Sequence, residues 1–382
     1  MRKTISYGRH FIDEDDIRAV LEVLRSDFLT QGPKVQEFEE RLAAHCGAGR
    51  AVVFNSGTSA LHAAYNALGL KEGDEFITSP ITFAATANAG LYLGAVPVFV
   101  DTEKDTGNMD FSELEKAVSP KTRLIVPVHY AGHAADMEKI RGAAEKRGIP
   151  VVEDACHALG GEHKGEKIGS CKYSDMTVFS FHPVKSITTG EGGAVLTNDE
   201  TLYKKMLMFR SHGITREYLQ NASDGGWYYE MQSIGFNYRM TDMQAALGVS
   251  QLRKLDRFIG RRREIAGFYD RKFNGNPYFD TPPERDYARS AWHLYPIRLK
   301  DKYMARRKDV FTKLREKGLG VNVHYIPVYL QPYYRGLGYM RGACPSAEDF
   351  YNRIISIPIY PAMTDEELGY ASDTIIEVFE GL

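Results

Sequence analysis

Between Thr177 and Leu196 the chain runs through an apolar stretch, one lysine and a glycine-rich return, reading VFSFHPVKSITTGEGGAV over 178–195. Thr177-Val178-Phe179-Ser180-Phe181 has a strand pattern, Pro183 turns the chain, and Lys185 follows. Thr188-Thr189-Gly190-Glu191-Gly192-Gly193 then leads into a second apolar run, Ala194-Val195-Leu196. An ammonium buried between two apolar strands is costly. A Schiff base at that lysine removes most of the cost and makes the lysine a covalent anchor. The glycines let the backbone approach something bulky. Taken alone, the stretch fits an exposed hairpin lysine equally well.

The rest of the chain narrows the choice. Its 382 residues are 43% apolar and 26% charged, with a net charge of −2. That excludes the strong basic field expected of a nucleic-acid or anionic-membrane binder. Arg261-Arg262-Arg263 forms the only notable basic cluster, lies in a helical pattern and reads as a solvated helix face. The opening MRKTISYGRHFIDEDD lacks the apolar core of a signal peptide, and no run is long enough to cross a bilayer. Cys46, Cys156, Cys171 and Cys344 are scattered without a CxxC pair, which suits unpaired thiols in a reducing cytoplasm.

Read in order, the chain alternates strand and helix patterns. Helices are expected over Asp13–Ser26 and Val35–His45, and strands at Ala51–Phe54, Glu75–Thr78, Val96–Asp101, Thr122–Val128 and Pro150–Asp154. Helical patterns between these strands complete a β/α/β rhythm, which implies an α/β fold with a mostly parallel sheet sandwiched by helices. Ligands of such sheets bind beyond the carboxyl ends of the strands. Ser56-Gly57-Thr58, Thr82-Phe83 and Asp154-Ala155-Cys156-His157 all fall there. The first of these opens a helix, so unpaired amides and small hydroxyls make it a candidate anion site. A plain Ser/Thr cap is the alternative. One long helix is expected from Asp242 to about Phe273, followed by strands at Tyr295–Leu299 and Val321–His324 and helices at Met304–Lys317 and from Thr364. His129 and His133 have metal-ligand spacing for a helix, but they follow a strand and flank Gly132, so no metal site is expected.

Five motifs occur in order: NSGTSAL at 55–61, ITFAATANA at 81–89, VVEDACHALG at 151–160, FSFHPVKSITTGEGG at 179–193 and SIGFNYRMTDMQAALG at 233–248. Together they resemble the sugar-nucleotide aminotransferases of the DegT/StrS family, which use pyridoxal 5′-phosphate (PLP). The likeness runs from about Tyr7 to the C-terminus. It implies the PLP-dependent transferase fold type I with a smaller α+β C-terminal domain. The expected divisions are 1–29, a segment packing with the small domain, 30–255, the large PLP-binding domain, and 256–382, the small domain.

The resemblance also implies roles. Lys185 would anchor the cofactor and then move a proton between substrate and cofactor, and Asp154 would keep the pyridine nitrogen protonated. Phe83 would stack on the ring and His157 would sit beside its phenolic oxygen. Ser56, Gly57, Thr58 and Ser180 would hold the phosphate, and Asn237 would reach the phosphate site of a neighbouring subunit, making a homodimer with shared active sites. Substrate contacts are expected at Tyr7, Asp27, Phe28, Leu29, Thr30, His182, Asn322, Val323, His324 and Tyr325, with Arg239 steering the donor carboxylate. Cys156 is expected to be free, buried and inert. The His182–Thr189 and Val323–Tyr325 stretches follow the pseudaminic-acid subgroup, although Pro183, Ser186 and Gly190 depart from it. The implied reaction moves the amino group of L-glutamate to C4 of a UDP-linked 2-acetamido-2,6-dideoxy-4-keto hexose. The stretch from Tyr218 to Tyr229 follows no pattern of the family, and a loop over the active site is one reading of it.

Overall fold

Neighbouring residues of a strand point to opposite faces of a sheet, so a strand covered on both sides reads as an unbroken apolar run. In the computed structural model, which describes residues 4–217, 219–222 and 225–382, the central strands behave in this way. They are β1 (Arg50–Phe54), β2 (Glu75–Thr78), β3 (Val96–Phe99), β4 (Thr122–Val126), β5 (Val152–Asp154), β6 (Met176–Ser180) and β7 (Gly193–Thr197). Val53, Phe179, Ala194 and Leu196 enter one core with Phe38, Leu42 and Val249. Val52, Phe54, Val178 and Val195 enter the other with Leu61, Tyr65 and Phe76.

The order across the sheet is β3-β2-β4-β5-β6-β7-β1. Single bridges, Ile125 to Val151 and Val128 to Asp154, join the β4 and β5 edges. All of these strands run parallel except β7, which is antiparallel to both β6 and β1. The carboxyl ends of β1, β2, β5 and β6 therefore lie along one edge. Each of those ends leads directly into one of the motif stretches. Gly193 opens β7 where a Cβ would stand 2.5 Å from the carbonyl oxygen of Ser56, so only glycine lets the two strand ends come this close.

A second, antiparallel sheet is built from Phe279–Asp280, Tyr295–Leu299 and Ile354–Ile357. It shares a core with helices Leu255–Lys272, Arg307–Glu316 and Asp365–Glu380. The N-terminal segment divides its contacts. Ile5 bridges to Leu319 and joins this second core, whereas helix Glu14–Leu24 packs on helix Asp242–Leu252. Among the described residues no helix is long and apolar enough to cross a membrane.

Several sequence expectations change. The long helix breaks at Arg253-Lys254 into Asp242–Leu252 and Leu255–Lys272. Val249, Leu252, Leu255 and Phe258 remain in one core across the break, so apolar spacing carries no mark of it. The helix expected over Met304–Lys317 starts later, at Arg307–Glu316, and a separate short helix, Asp301–Met304, precedes it. Val321–His324 is not a strand. Asn322 makes a single bridge to Ser356, and the side chains that follow turn into a cavity. The arginine run is not a solvated face either. Arg261 and Arg263 pair with Asp365 and Glu284, but Arg262 between them is 0% exposed. Of the stretch from Tyr218 to Tyr229, Tyr218, Ser223 and Asp224 lie outside the described residues.

Asp16 ties the N-terminal helix to the helix break. It is fully buried, 2.9 Å from Lys254 Nζ, and accepts a 2.7 Å bond from Gln251 Nε2. Asp16→Ala leaves the nearly buried Lys254 with Asp13 as its remaining acid. It is expected to cost about 3 kcal/mol in urea unfolding. A loss below about 1 kcal/mol would mean that the pair is solvated in solution.

Candidate active site

Four strand ends supply most of the site. After β1, Ser56 caps helix Gly57–Ala67, its hydroxyl accepting from Ser59 N at 3.1 Å. The first-turn amides of Gly57 and Thr58 have no acceptor inside the helix. A Cβ at Gly57 would stand 3.0 Å from Ser180 Cβ, so this turn lies close against the end of β6. After β2, Phe83 leaves an apolar ring 62% exposed. At the end of β5, Asp154 is buried and its carboxylate accepts from Thr86 Oγ1 at 2.6 Å and Cys156 N at 3.1 Å. After β6, Lys185 follows a turn closed by its own amide donating to His182 O at 2.9 Å.

These groups line one cavity of about 660 Å³. It gathers Ser56, Gly57, Thr58, Phe83, Asp154, His157, Ser180 and Lys185, which is the whole expected cofactor set except Asn237. Asn237 is exposed, and its backbone carbonyl accepts from Asn55 Nδ2 at 3.3 Å. Of the expected substrate residues, Tyr7, His182, Asn322, Val323, His324 and Tyr325 line the same cavity. Asp27, Phe28, Leu29 and Thr30 do not; Phe28 and Leu29 are exposed, and Thr30 bridges to Thr241. Arg239 lies elsewhere, in a separate cavity of about 450 Å³ with Gln31, Tyr203 and Arg210.

Burial sets the charge states. Lys185 has no ion-pair partner among the described residues, and desolvation lowers its pKa from the ordinary lysine value. Its amine is thereby biased toward the neutral, nucleophilic form. His157 is driven well below the usual histidine range, first by burial and then by the charge of Lys185. Its Nε2 bonds the Tyr325 hydroxyl at 3.0 Å, while its Nδ1 is buried without a partner. Cys156 is free but half-buried at the cavity wall rather than fully buried as expected. Desolvation, followed by the charge of Asp154, holds its thiol well above its usual range, which leaves it protonated.

Motif reading left two contributors unassigned. Thr86 sits inside ITFAATANA, where its hydroxyl bonds that of Thr82 four residues earlier, and its bond to Asp154 is a long-range contact visible only once the fold brings the helix beside the end of β5. His293 lines the cavity with its ring 4.4 Å from that of His157, and no local pattern marks it. His129 and His133 spend their rings on structure. His129 bonds Glu153 at 2.7 Å and accepts from Ala135 N at 3.0 Å. His133 donates to Ala134 O at 2.7 Å and accepts from Arg285 N at 3.0 Å.

Comparison with known proteins agrees with this geometry. Residues 10–376 match the model of the DegT/DnrJ/EryC1/StrS aminotransferase family. The chain belongs to that family. It is 43% identical over 380 residues, 98% of each chain, to the UDP-4-amino-4,6-dideoxy-N-acetyl-β-L-altrosamine transaminase of Campylobacter jejuni. The solved structure of PseC from Helicobacter pylori, an aminotransferase of pseudoaminic acid biosynthesis, matches with a TM-score of 0.93 at 39% identity over 100% of both chains. Spr1654 of Streptococcus pneumoniae, in its PLP form, matches at 0.93 and 32% identity over 99% of both chains. This chain is thus a PLP-dependent aminotransferase of fold type I.

The buried histidines give the fold a pH dependence. Burial pushes His62, His133 and His324 down to about 4. Below the unfolded value near 6.5, the unfolded chain binds protons that the folded chain refuses, until the folded value is reached. Stability therefore falls as pH drops through that window, by at most about 1.4 kcal/mol per pH unit for each histidine. The urea midpoint of the cofactor-free protein should fall steadily from about pH 6.5 to 4.5, and His324→Gln should make the slope shallower. Equal slopes for the two proteins would show that His324 is not held neutral.

Proposed function

We propose that this enzyme moves the amino group of L-glutamate to the C4 ketone of a UDP-linked 2-acetamido-2,6-dideoxy-4-keto hexose of L-arabino configuration. The product is UDP-4-amino-4,6-dideoxy-N-acetyl-β-L-altrosamine, an intermediate of pseudaminic acid biosynthesis. The enzyme works as a homodimer with shared active sites. The observation that carries this reading is the single cavity joining Lys185 and Asp154 to the Asn322–Tyr325 segment, in a chain so similar to a transaminase of that product.

The residues present fit PLP. The turn around Gly57 is a cradle of amides and hydroxyls that a Cβ would crowd against Ser180, as a phosphate site requires. His157, in the cavity lining, keeps a buried Nδ1 without a hydrogen-bond partner, an orphaned polar atom of the kind a bound group would satisfy. Phe83 presents an uncovered ring to the cavity. When bound, PLP supplies an aldehyde carbon that captures amines and a ring that accepts the electron pair released at the substrate carbon. Asp154, oriented by Thr86 and the Cys156 amide, would hold the proton on the pyridine nitrogen. Lys185 Nζ would anchor the cofactor, then take and return the proton at the reacting carbon. Ser56, Gly57, Thr58 and Ser180 would bind the phosphate, Tyr325 would orient His157, and Tyr7, His182, Asn322 and His324 would meet the sugar nucleotide.

Asn237 lies outside the cavity of its own chain, which supports its serving a second copy. The nearby stretch leaves Trp227 71%, Met231 67% and Ile234 79% exposed, an apolar surface that a second subunit would cover. Mixed Lys185→Ala and Asn237→Ala subunits are therefore expected to recover activity, because one site of the mixed dimer escapes both lesions. No recovery, with subunit exchange demonstrated, would place the complete site within one chain.

The deciding assay supplies the L-arabino and D-xylo 4-keto epimers separately with glutamate. It follows 2-oxoglutarate release and the amino sugar's configuration by NMR, after borohydride reduction has located the cofactor on Lys185. Preference for the D-xylo epimer or for a dTDP-linked sugar refutes the substrate and leaves the chemistry standing. Labelling of another lysine refutes the anchor.

A further inference from the structure

Arg262 is the largest fully buried side chain of the described residues, and it has no carboxylate partner among them. Burying a guanidinium without an acid is costly, so its donors must find other acceptors. They find backbone carbonyls. Nη1 donates to Trp292 O and His293 O at 3.2 Å and to Ile359 O at 3.0 Å, and Nη2 to Val184 O at 3.4 Å. Nε has no acceptor.

The four carbonyls come from three separate stretches. Val184 immediately precedes Lys185. Trp292 and His293 form the bend that leads into Tyr295–Leu299. Ile359 follows Ile354–Ile357. One planar fork on helix Leu255–Lys272 thus ties the lysine turn to the second sheet. The bend it holds is strained, since Trp292 has φ +48°, a conformation that a bulky side chain adopts only when its surroundings impose it. That bend sets the His293 ring against His157 in the cavity wall.

We propose that Arg262 is a positioning residue of the transamination site, its carbonyl clamp fixing both the turn that presents Lys185 and the bend that presents His293. The proposal rests on Lys185 being the cofactor anchor. The same guanidinium also acts at a distance. The charged and titratable groups around Lys185 are Asp154 and Cys156 beyond β5, His157 beside them, His182 on its own turn, His293, His324 and Arg262, with Glu191, Tyr7 and Tyr325 further along the same cavity. His157, His293 and His324 are kept neutral by burial, and Cys156 stays a thiol. Arg262 is then the fixed cation of the group, and it opposes protonation of the Lys185 amine, whereas Asp154 favours it.

The test uses cofactor-free full-length protein, in which acetylation of Lys185 is followed against pH by peptide mass spectrometry, together with kcat and KM of the reconstituted enzyme. Arg262→Gln keeps hydrogen-bond donors but removes the charge, so the inflection of Lys185 labelling should move to higher pH. Arg262→Lys keeps the charge without the fork. Its inflection should stay near that of the wild type while kcat falls roughly tenfold to a hundredfold at little-changed KM. Wild-type labelling in the Gln variant, or wild-type kcat in the Lys variant, overturns the proposal. Should Arg262→Gln fail to fold, the Lys variant decides alone by its kcat. The labelling needs no turnover, so a wrong sugar or amino donor leaves its result intact, and cofactor attachment at another lysine is read separately by borohydride reduction.

Discussion

A lysine amine taken out of water with no acid at ion-pair distance has two ways to lower its cost. It can shed its proton, or it can be consumed in a covalent bond. Lys185 approaches that condition: it is half-buried at the cavity wall and its amine is desolvated there, and much of the surrounding structure follows from it. The walls near it are made of groups that do not add charge. Burial holds His157, His293 and His324 neutral and Cys156 a thiol. The opposing influences are Asp154 and Arg262, one carboxylate and one guanidinium, each held by hydrogen bonds that keep it from collapsing onto the lysine.

The sheet makes this arrangement affordable in backbone terms. A parallel sheet must turn the chain at every strand end, and four of those ends meet along one edge. Loops there have free amides and room for side chains, whereas the strands beneath are packed on both faces and leave little freedom to shift. The antiparallel β7 closes the arrangement from the other side. Gly193 lets it approach the Ser56 carbonyl, which brings the phosphate-cradle turn of β1 next to Ser180 on β6. The reactive lysine, the carboxylate and the anion site are then positioned by three different strands of one rigid sheet.

The sequence made some of this legible and concealed the rest, for physical reasons. Strands buried on both faces appear as short apolar runs, so the sheet could be read directly, and the motif residues stand where those runs stop, whereas the roles expected of Asp154, Ser180 and Lys185 rested on the family resemblance of their motifs. The break at Arg253-Lys254 could not, because the apolar positions on either side remain in one core and the period survives the bend. Arg262 was hidden by its own type. Arginines in a run belong by default to a solvated helix face, and only the fold reveals four carbonyls waiting for one of them. Arg239 shows a different limit: its motif suggested the cavity, and within its own chain it lines another, as Asn237 also lies outside the first. Sequence proximity to a motif says nothing about which side of a turn a side chain takes.

The composition of the cavity adds a constraint on binding. Among the described residues Lys185 is its only lysine or arginine, and desolvation favours the neutral form of that lysine. A sugar nucleotide and a dicarboxylic amino donor both arrive with several negative charges. Neutral histidines, hydroxyls and helix amides can hydrogen-bond those groups, but they bring no full positive charge to balance them. A single chain is therefore well built for the cofactor's phosphate, which a helix N-terminus suits, and poorly built for the remaining anions. A second copy would remedy this if its basic side chains closed over the mouth. The uncovered apolar stretch around Met231 and Ile234 adjoins the segment that carries Asn237 and Arg239. In a shared site, the rigid sheet of one subunit would then govern the chemistry, while charged groups of the other would govern which anionic substrate is admitted. Stereochemical choice at C4 would depend on the relative placement of the two subunits as much as on the motif residues of either.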